Sequence, residues 1–290
     1  MGDMTVTNQV STMSGDIFAI STRSDLFLVS AGDEKQQTVF KRLRICRGAD
    51  ITSQRLRQYV ERMRHGRLSH PNISRALELC TDGSILGTLM PLYTPGNVIQ
   101  YLQRYPGSTD RERIDFAADF LKGLAFLHEK DITHDNIRGE NIVIDDTRRA
   151  LLCDAQYKTM VAGDADPPYV HLDSSCRWTA PEKLFNEEPR AMPAPANKAA
   201  DMYAAGLTIV QMWTLLPPFA HIRRDLAVVV MLKQLVDGTI AAIDRPDKVP
   251  VAVWSILKDC LSTVPSLRPS AQALLARIEI IQQAQNDDES

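Results

Sequence analysis

His134-Asp135-Asn136-Ile137-Arg138-Gly139-Glu140-Asn141 sets six polar or charged side chains into eight residues, between apolar neighbours. Asn136 is an amide with no basicity near neutral pH, so it cannot take a proton as a general base. Immediately upstream, Arg111–Glu129 carries Ile114, Ala117, Ala118, Leu121, Leu124, Ala125 and Leu127 at helical spacing, which predicts a long amphipathic helix.

Farther upstream the period falls from 3.6 to two. Asp25–Ser30 and Thr38–Leu43 read as paired strands around a polar turn, and Leu77–Cys80 with Ser84–Met90 as a hairpin across Thr81-Asp82-Gly83. One helix is expected between them, over Thr52–Leu68, from Leu56, Tyr59, Val60 and Met63. The period changes at Pro91-Leu92-Tyr93. Downstream of the polar stretch, 161–197 is rich in Pro and Asp and reads as loop. Helices are expected over 199–215, 225–237, 250–261 and 269–284. The pattern is α+β: a flexible arm over 1–15, a strand-rich part over 16–90, a helical part over 91–284, and an acidic tail over 285–290.

The 290 residues are 44% apolar and 24% charged, with a formal net charge of −3, ordinary for a globular domain. That balance gives no electrostatic case for nucleic acid or an acidic membrane. The five cysteines are scattered and lack zinc-ligand spacing, against both a disulfide framework and a metal cluster. No apolar run reaches membrane-spanning length, and no secretory signal pattern opens the chain. The expectation is a soluble, cytoplasmic domain.

The polar stretch resembles the protein-kinase catalytic loop, H-R-D-L-x-x-x-N. Phe126-Leu127-His128 resembles the segment before that loop. Leu152-Cys153-Asp154-Ala155-Gln156 resembles the metal-binding D-F-G region, and Ala180-Pro181-Glu182 matches A-P-E. Asp201–Gly206, Pro217–Phe219 and Leu267-Arg268-Pro269 complete the series in order. His70-Pro71-Asn72-Ile73 and Ser175–Glu182 resemble tyrosine-kinase-like domains of a fungal type. The resemblance implies a bilobal protein kinase-like fold, with a β-rich N-lobe and a helical C-lobe.

It also implies roles. Thr38-Val39-Phe40-Lys41 is similar to V-A-I-K, making Lys41 the phosphate-binding lysine and Glu61 its helical partner. Asn141 and Asp154 resemble the magnesium ligands. Ala19, Ser21 and Ser24 fall where the phosphate loop has glycines, and Met90 and Leu92 resemble the adenine-side positions. Leu26 and Val39 are further candidates to line that pocket. Arg138 stands where a cation meets the γ-phosphate, and Asn136 stands at the general base. Glu182 and Arg268 resemble a buried ion pair, and Asp201 a carboxylate binding the catalytic-loop backbone. Taken alone, Lys41 reads equally as a surface lysine and Asp154 as a turn aspartate.

Several departures weigh against ordinary catalysis. Asn136 replaces the base, the loop glycines are replaced by Ala and Ser, and Ala155-Gln156 stand where Phe and Gly are usual. Asp135 replaces an arginine that clamps phosphorylated loops in many kinases. The leading expectation is a signalling pseudokinase that binds a protein partner, with ATP and magnesium bound weakly or not at all. The alternatives are a weak ATP-dependent Ser/Thr transferase and a non-catalytic ATP-binding switch.

Overall fold

The computed structural model describes residues 17–20, 24–29, 37–43, 68–82, 85–155, 174–185 and 194–288. The expected helix carrying Glu61 lies outside these residues, apart from Leu68. So do Ser21 and the arm 1–15.

The small lobe is an antiparallel five-stranded sheet in the order β1-β2-β3-β5-β4. Its strands are β1 (Ile17–Ile20), β2 (Ser24–Val29), β3 (Thr38–Leu43), β4 (Glu78–Asp82) and β5 (Ile85–Pro91). Residues directly opposite on paired strands share a face. Phe40 lies opposite Phe27 and Leu89, and its ring is buried among them. Lys41 lies opposite Leu26 and Thr88, and Val39 opposite Leu28 and Met90. The register therefore puts Leu26, Val39, Lys41 and Met90 together on the other face. Gly87 makes the close approach possible: a Cβ there would lie 2.3 Å from the Lys41 carbonyl oxygen and 2.6 Å from the Phe40 ring.

After the turn at Gly96, Asn97 caps α1 (Val98–Arg104) in a reciprocal capping box with Gln100. Thr109 caps α2 (Asp110–Glu129), whose buried stripe contains the residues the periodicity marks except Ala125, which is half-buried, and adds Phe116, Phe120 and Gly123. The other helices are α3 (Pro181–Phe185), α4 (Ala194–Thr214), α5 (Asp225–Val236), α6 (Val251–Leu257) and α7 (Ala271–Asp288). One continuous core joins α1, α2, α4, α6 and α7, with Tyr203, Phe116, Phe120 and Leu121 fully buried.

The structure corrects several boundaries. The segment expected as loop over 161–197 contains a 3₁₀ turn (Ser174–Trp178), α3 and the start of α4. The helix expected over 250–261 breaks after Leu257 into a 3₁₀ turn, Lys258–Leu261. The last helix does not stop at 284; it runs to Asp288 through the expected acidic tail. Tertiary bonds hold that end, since Gln282 donates to Asp115 at 2.7 Å and Arg111 bonds Asn286. A short hairpin, β6 (Ile142–Ile144) with β7 (Ala150–Leu152), directly follows the catalytic-loop segment.

Candidate active site

Lys41 projects from β3 and Asp154 follows β7. Lys41 Nζ donates to Asp154 Oδ2, and the two side chains are only 8% and 12% exposed. The pair links the five-stranded sheet to the segment that follows β7. Asp154 adopts φ 65°, in the left-handed region that Asp tolerates better than most residues. Cys153, just before it, is buried, and burial together with the Asp154 charge pushes its thiol well up. Burial that keeps a thiol protonated makes it a poor nucleophile.

The catalytic-loop segment hangs from one carboxylate. Asp201, near the middle of α4, accepts from the backbone N–H groups of His134 at 2.7 Å and Asp135 at 2.9 Å. Its Oδ2 also lies 2.9 Å from His128 Nε2. His134 is completely buried. Its Nδ1 accepts from the Asn136 N–H at 3.3 Å, so Nε2 carries the proton and donates to the Cys153 carbonyl at 2.9 Å. Burial depresses its ionisation, and the nearby Asp201 charge only partly opposes that. A neutral imidazole thus fastens the loop to the strand end that carries Asp154.

Asn136 is held through its main chain, its carbonyl accepting from Asn141 Nδ2 at 2.7 Å. That bond leaves the Asn141 amide oxygen as a donor atom. With the Asp154 carboxylate, the set fits one small hard divalent cation that takes its other ligands from water and phosphate. Magnesium bound there would neutralise charge on a nucleotide's phosphates. Asn141 and Asp154 would hold it, with Lys41 beside them.

Arg138, the cation next to the base position, lies against Glu140 and Trp178. Its Nε donates to Glu140 at 2.7 Å and its guanidinium lies 4.6 Å above the Trp178 ring. A planar cation stacks on an indole face in a way a lysine ammonium does not. Those contacts tie the Arg138 side chain to Glu140 and to the 174–185 segment. Gly139 permits this tight path. A Cβ there would sit 2.4 Å from Ile99 Cγ1 and 2.9 Å from Gln211 Oε1, which accepts from the Gly139 N–H at 3.2 Å.

Segment 174–185 is fixed by two more arginines. Arg177 bonds Asp225 at 2.7 Å and the carbonyls of Pro218, Phe219 and Ile222 at 2.9, 3.0 and 2.8 Å. Arg268 grips Glu182 with both terminal nitrogens, at 2.6 and 2.7 Å, and lies over the Tyr203 ring. Gln211, Arg177 and Trp178 carry no sequence signal of these roles, because each acts on residues far away in the chain.

Among the phosphate-loop positions, Ala19 lies in β1 opposite Leu26 and Ser24 opens β2 opposite Leu43. Met90 is half-buried on the Lys41 face, and the Leu92 N–H donates to the Gln37 carbonyl at 2.9 Å. Glu61 and Ser21 lie outside the described residues.

The family model for the protein kinase domain matches residues 23–278. The chain belongs to this family. Its small antiparallel sheet and larger helical part are the two lobes of a kinase domain. Mitogen-activated protein kinase kinase kinase YODA of Arabidopsis thaliana is 27% identical over 72% of this chain, and the match covers 22% of that relative. Mitogen-activated protein kinase kinase kinase 1 of the same plant is 26% identical over 90% of this chain and 38% of its own length. Serine/threonine-protein kinase PkaA of Streptomyces coelicolor is 27% identical over 80% of this chain and 40% of its own length. The kinase domain described here thus spans less than half the length of each. Among the described residues, no helix is long and apolar enough to cross a membrane.

Proposed function

We propose that this kinase domain is a pseudokinase that works by binding another protein, with ATP and magnesium bound weakly or not at all. The observation that carries the reading is Asn136, at the position of the general base within a loop whose other anchors are intact. Its amide can donate to a substrate hydroxyl but cannot take its proton. The replaced phosphate-loop glycines at Ala19, Ser21 and Ser24 support the reading further, since a Cβ hinders close approach of backbone N–H groups to phosphate. The motif around Ser175–Glu182 fits a tyrosine-kinase-like subtype, and the N-lobe boundary is best placed near residue 90.

A second reading is a slow ATP-dependent Ser/Thr protein kinase. The convergence of Lys41, Asp154 and Asn141 favours it, as do the relatives with serine/threonine kinase names. Phosphoryl transfer depends mainly on positioning and charge. Loss of a base costs a factor of about 10²–10⁴. Thermal melting with ATP, with and without Mg²⁺ or Mn²⁺, and radiolabel transfer to protein separate the two readings. The first expects no upward shift at low micromolar ATP and no transfer. Transfer at about 1–100 s⁻¹ would refute it.

A further inference from the structure

The loop that leads into α5 is wrapped around one arginine. The Arg177 side chain, only 7% exposed, donates to the carbonyls of Pro218, Phe219, Ile222 and Arg223 and to the Asp225 carboxylate. Phe219 and Ile222 pack inward as well, against the buried side of α5. The backbone acceptors and the large apolar side chains of the loop are thus spent on the interior.

What faces water is of two kinds. Arg223 and Arg224 are exposed, and neither has a carboxylate partner among the described residues. The nearest acid in sequence, Asp225, is held by Arg177. At either end of the loop Leu216 and Leu226 are 54% and 59% exposed. A backbone fixed from behind loses little freedom when something binds its outer side.

Two guanidiniums flanked by two leucines select among anions. A lipid surface is met by about four to eight clustered cations and nucleic acid by a basic stripe, and the chain as a whole carries −3. A single phosphate group is best met by cations that converge. Arg223 and Arg224 instead stand at successive positions leading into the helix, with Arg224 extended, so their side chains diverge. Separate carboxylates fit that spread, each able to take two parallel bonds from one guanidinium.

We propose that residues 216–226 are a docking surface for an acidic segment of a partner protein. Its carboxylates meet Arg223 and Arg224, and its aliphatic side chains rest on Leu216 and Leu226. The inference rests on the reading of this domain as one that binds another protein, and it names the surface used. So small a contact falls below the roughly 1,200 Å² of a stable interface, so the complex is transient.

Fluorescence anisotropy of a labelled peptide of repeated Glu-Asp-Leu units, titrated with the whole chain, tests it. The peptide binds, and binding weakens several-fold from about 0.05 to about 0.5 M salt as screening shortens the reach of exposed charges. Arg223→Glu with Arg224→Glu lowers affinity at least tenfold, and the milder Arg223→Gln with Arg224→Gln several-fold. Leu216→Gln with Leu226→Gln also lowers it several-fold. All of these variants keep the native melting curve, since the four side chains are exposed. A native chain that leaves the peptide unbound at millimolar concentration overturns the proposal. So does equal binding of a peptide with Gln and Asn in place of its acids, or equal binding by the arginine variants. A single-stranded oligonucleotide or a phosphoserine peptide that binds more tightly at the same arginines overturns it too. Phosphoryl transfer by the native chain would refute the pseudokinase reading and leave the peptide result standing, so the two failures are distinct.

Discussion

Arg177 and Arg268 spend their guanidinium donors on segment 174–185 and its surroundings, whereas Asn136, in the neighbouring catalytic loop, is held by its backbone. Its side chain makes no hydrogen bond among the described residues. The difference teaches where a fold constrains its sequence. A buried guanidinium with its partner removed is an uncompensated charge in a low-dielectric interior. A catalytic side chain that only a substrate would touch can change without that penalty. The frame of a kinase and its chemistry are thus held by separate residues, and one can lapse while the other stays.

Glu182→Ala is the strongest way to break this contrast. It strands Arg268, whose side chain is fully buried, and is expected to cost about 3–5 kcal/mol in urea unfolding. A loss below about 1 kcal/mol, the range of exposed pairs, would mean that the pair is not a scaffold element. Arg177→Met comes next. It leaves the carbonyls of Pro218, Phe219 and Ile222 without their donor, for an expected loss of about 2–3 kcal/mol by the same measurement. Gly139→Ala tests the catalytic loop from its packed side. The added methyl meets Ile99 and Gln211, and overpacking of this kind costs about 1–3 kcal/mol. A neutral result would show that the loop can shift outward freely.

A pH titration of stability should show a smaller effect. The folded-state pKa of His134 is depressed by burial, so the unfolded chain binds the proton more readily. Stability is then level above the ordinary histidine pKa of about 6.5 and falls as pH drops below it. His70, also depressed chiefly by burial, adds to the same slope. His134→Gln should flatten the curve, and an unchanged slope would assign the effect to other groups. Asn136→Asp should have the least effect, within about 0.5 kcal/mol of the native stability. It should also give little phosphoryl transfer, because Ala19, Ser21 and Ser24 remain. Strong transfer by that variant would mean that one residue alone had silenced the site.

The strands β2, β3 and β5 and the helix α2 were legible because their apolar periods are sustained. The register came only with the structure, and it puts Lys41 on the face with Val39 and Met90. The pieces around 174–185 were not legible. Arg177 and Trp178 hold them through partners tens of residues away, and local pattern carries none of that. The destination of Arg138 was hidden for the same reason, since only the fold brings Trp178 beneath it. The run of α7 to Asp288 depends on Asp115 and Arg111 of α2, so polarity alone read it as a tail.

The bond from Arg268 to Glu182 spans 86 residues. A ribosome makes chain at about 5–20 residues per second. Segment 174–185 therefore waits several seconds after its synthesis for the partner that secures it. During that wait the buried half of the pair does not yet exist, and the segment is open to chaperones and proteases. The finished lobe is closed from its C-terminal end, so shortening the chain before residue 268 should leave the earlier helices without their lock.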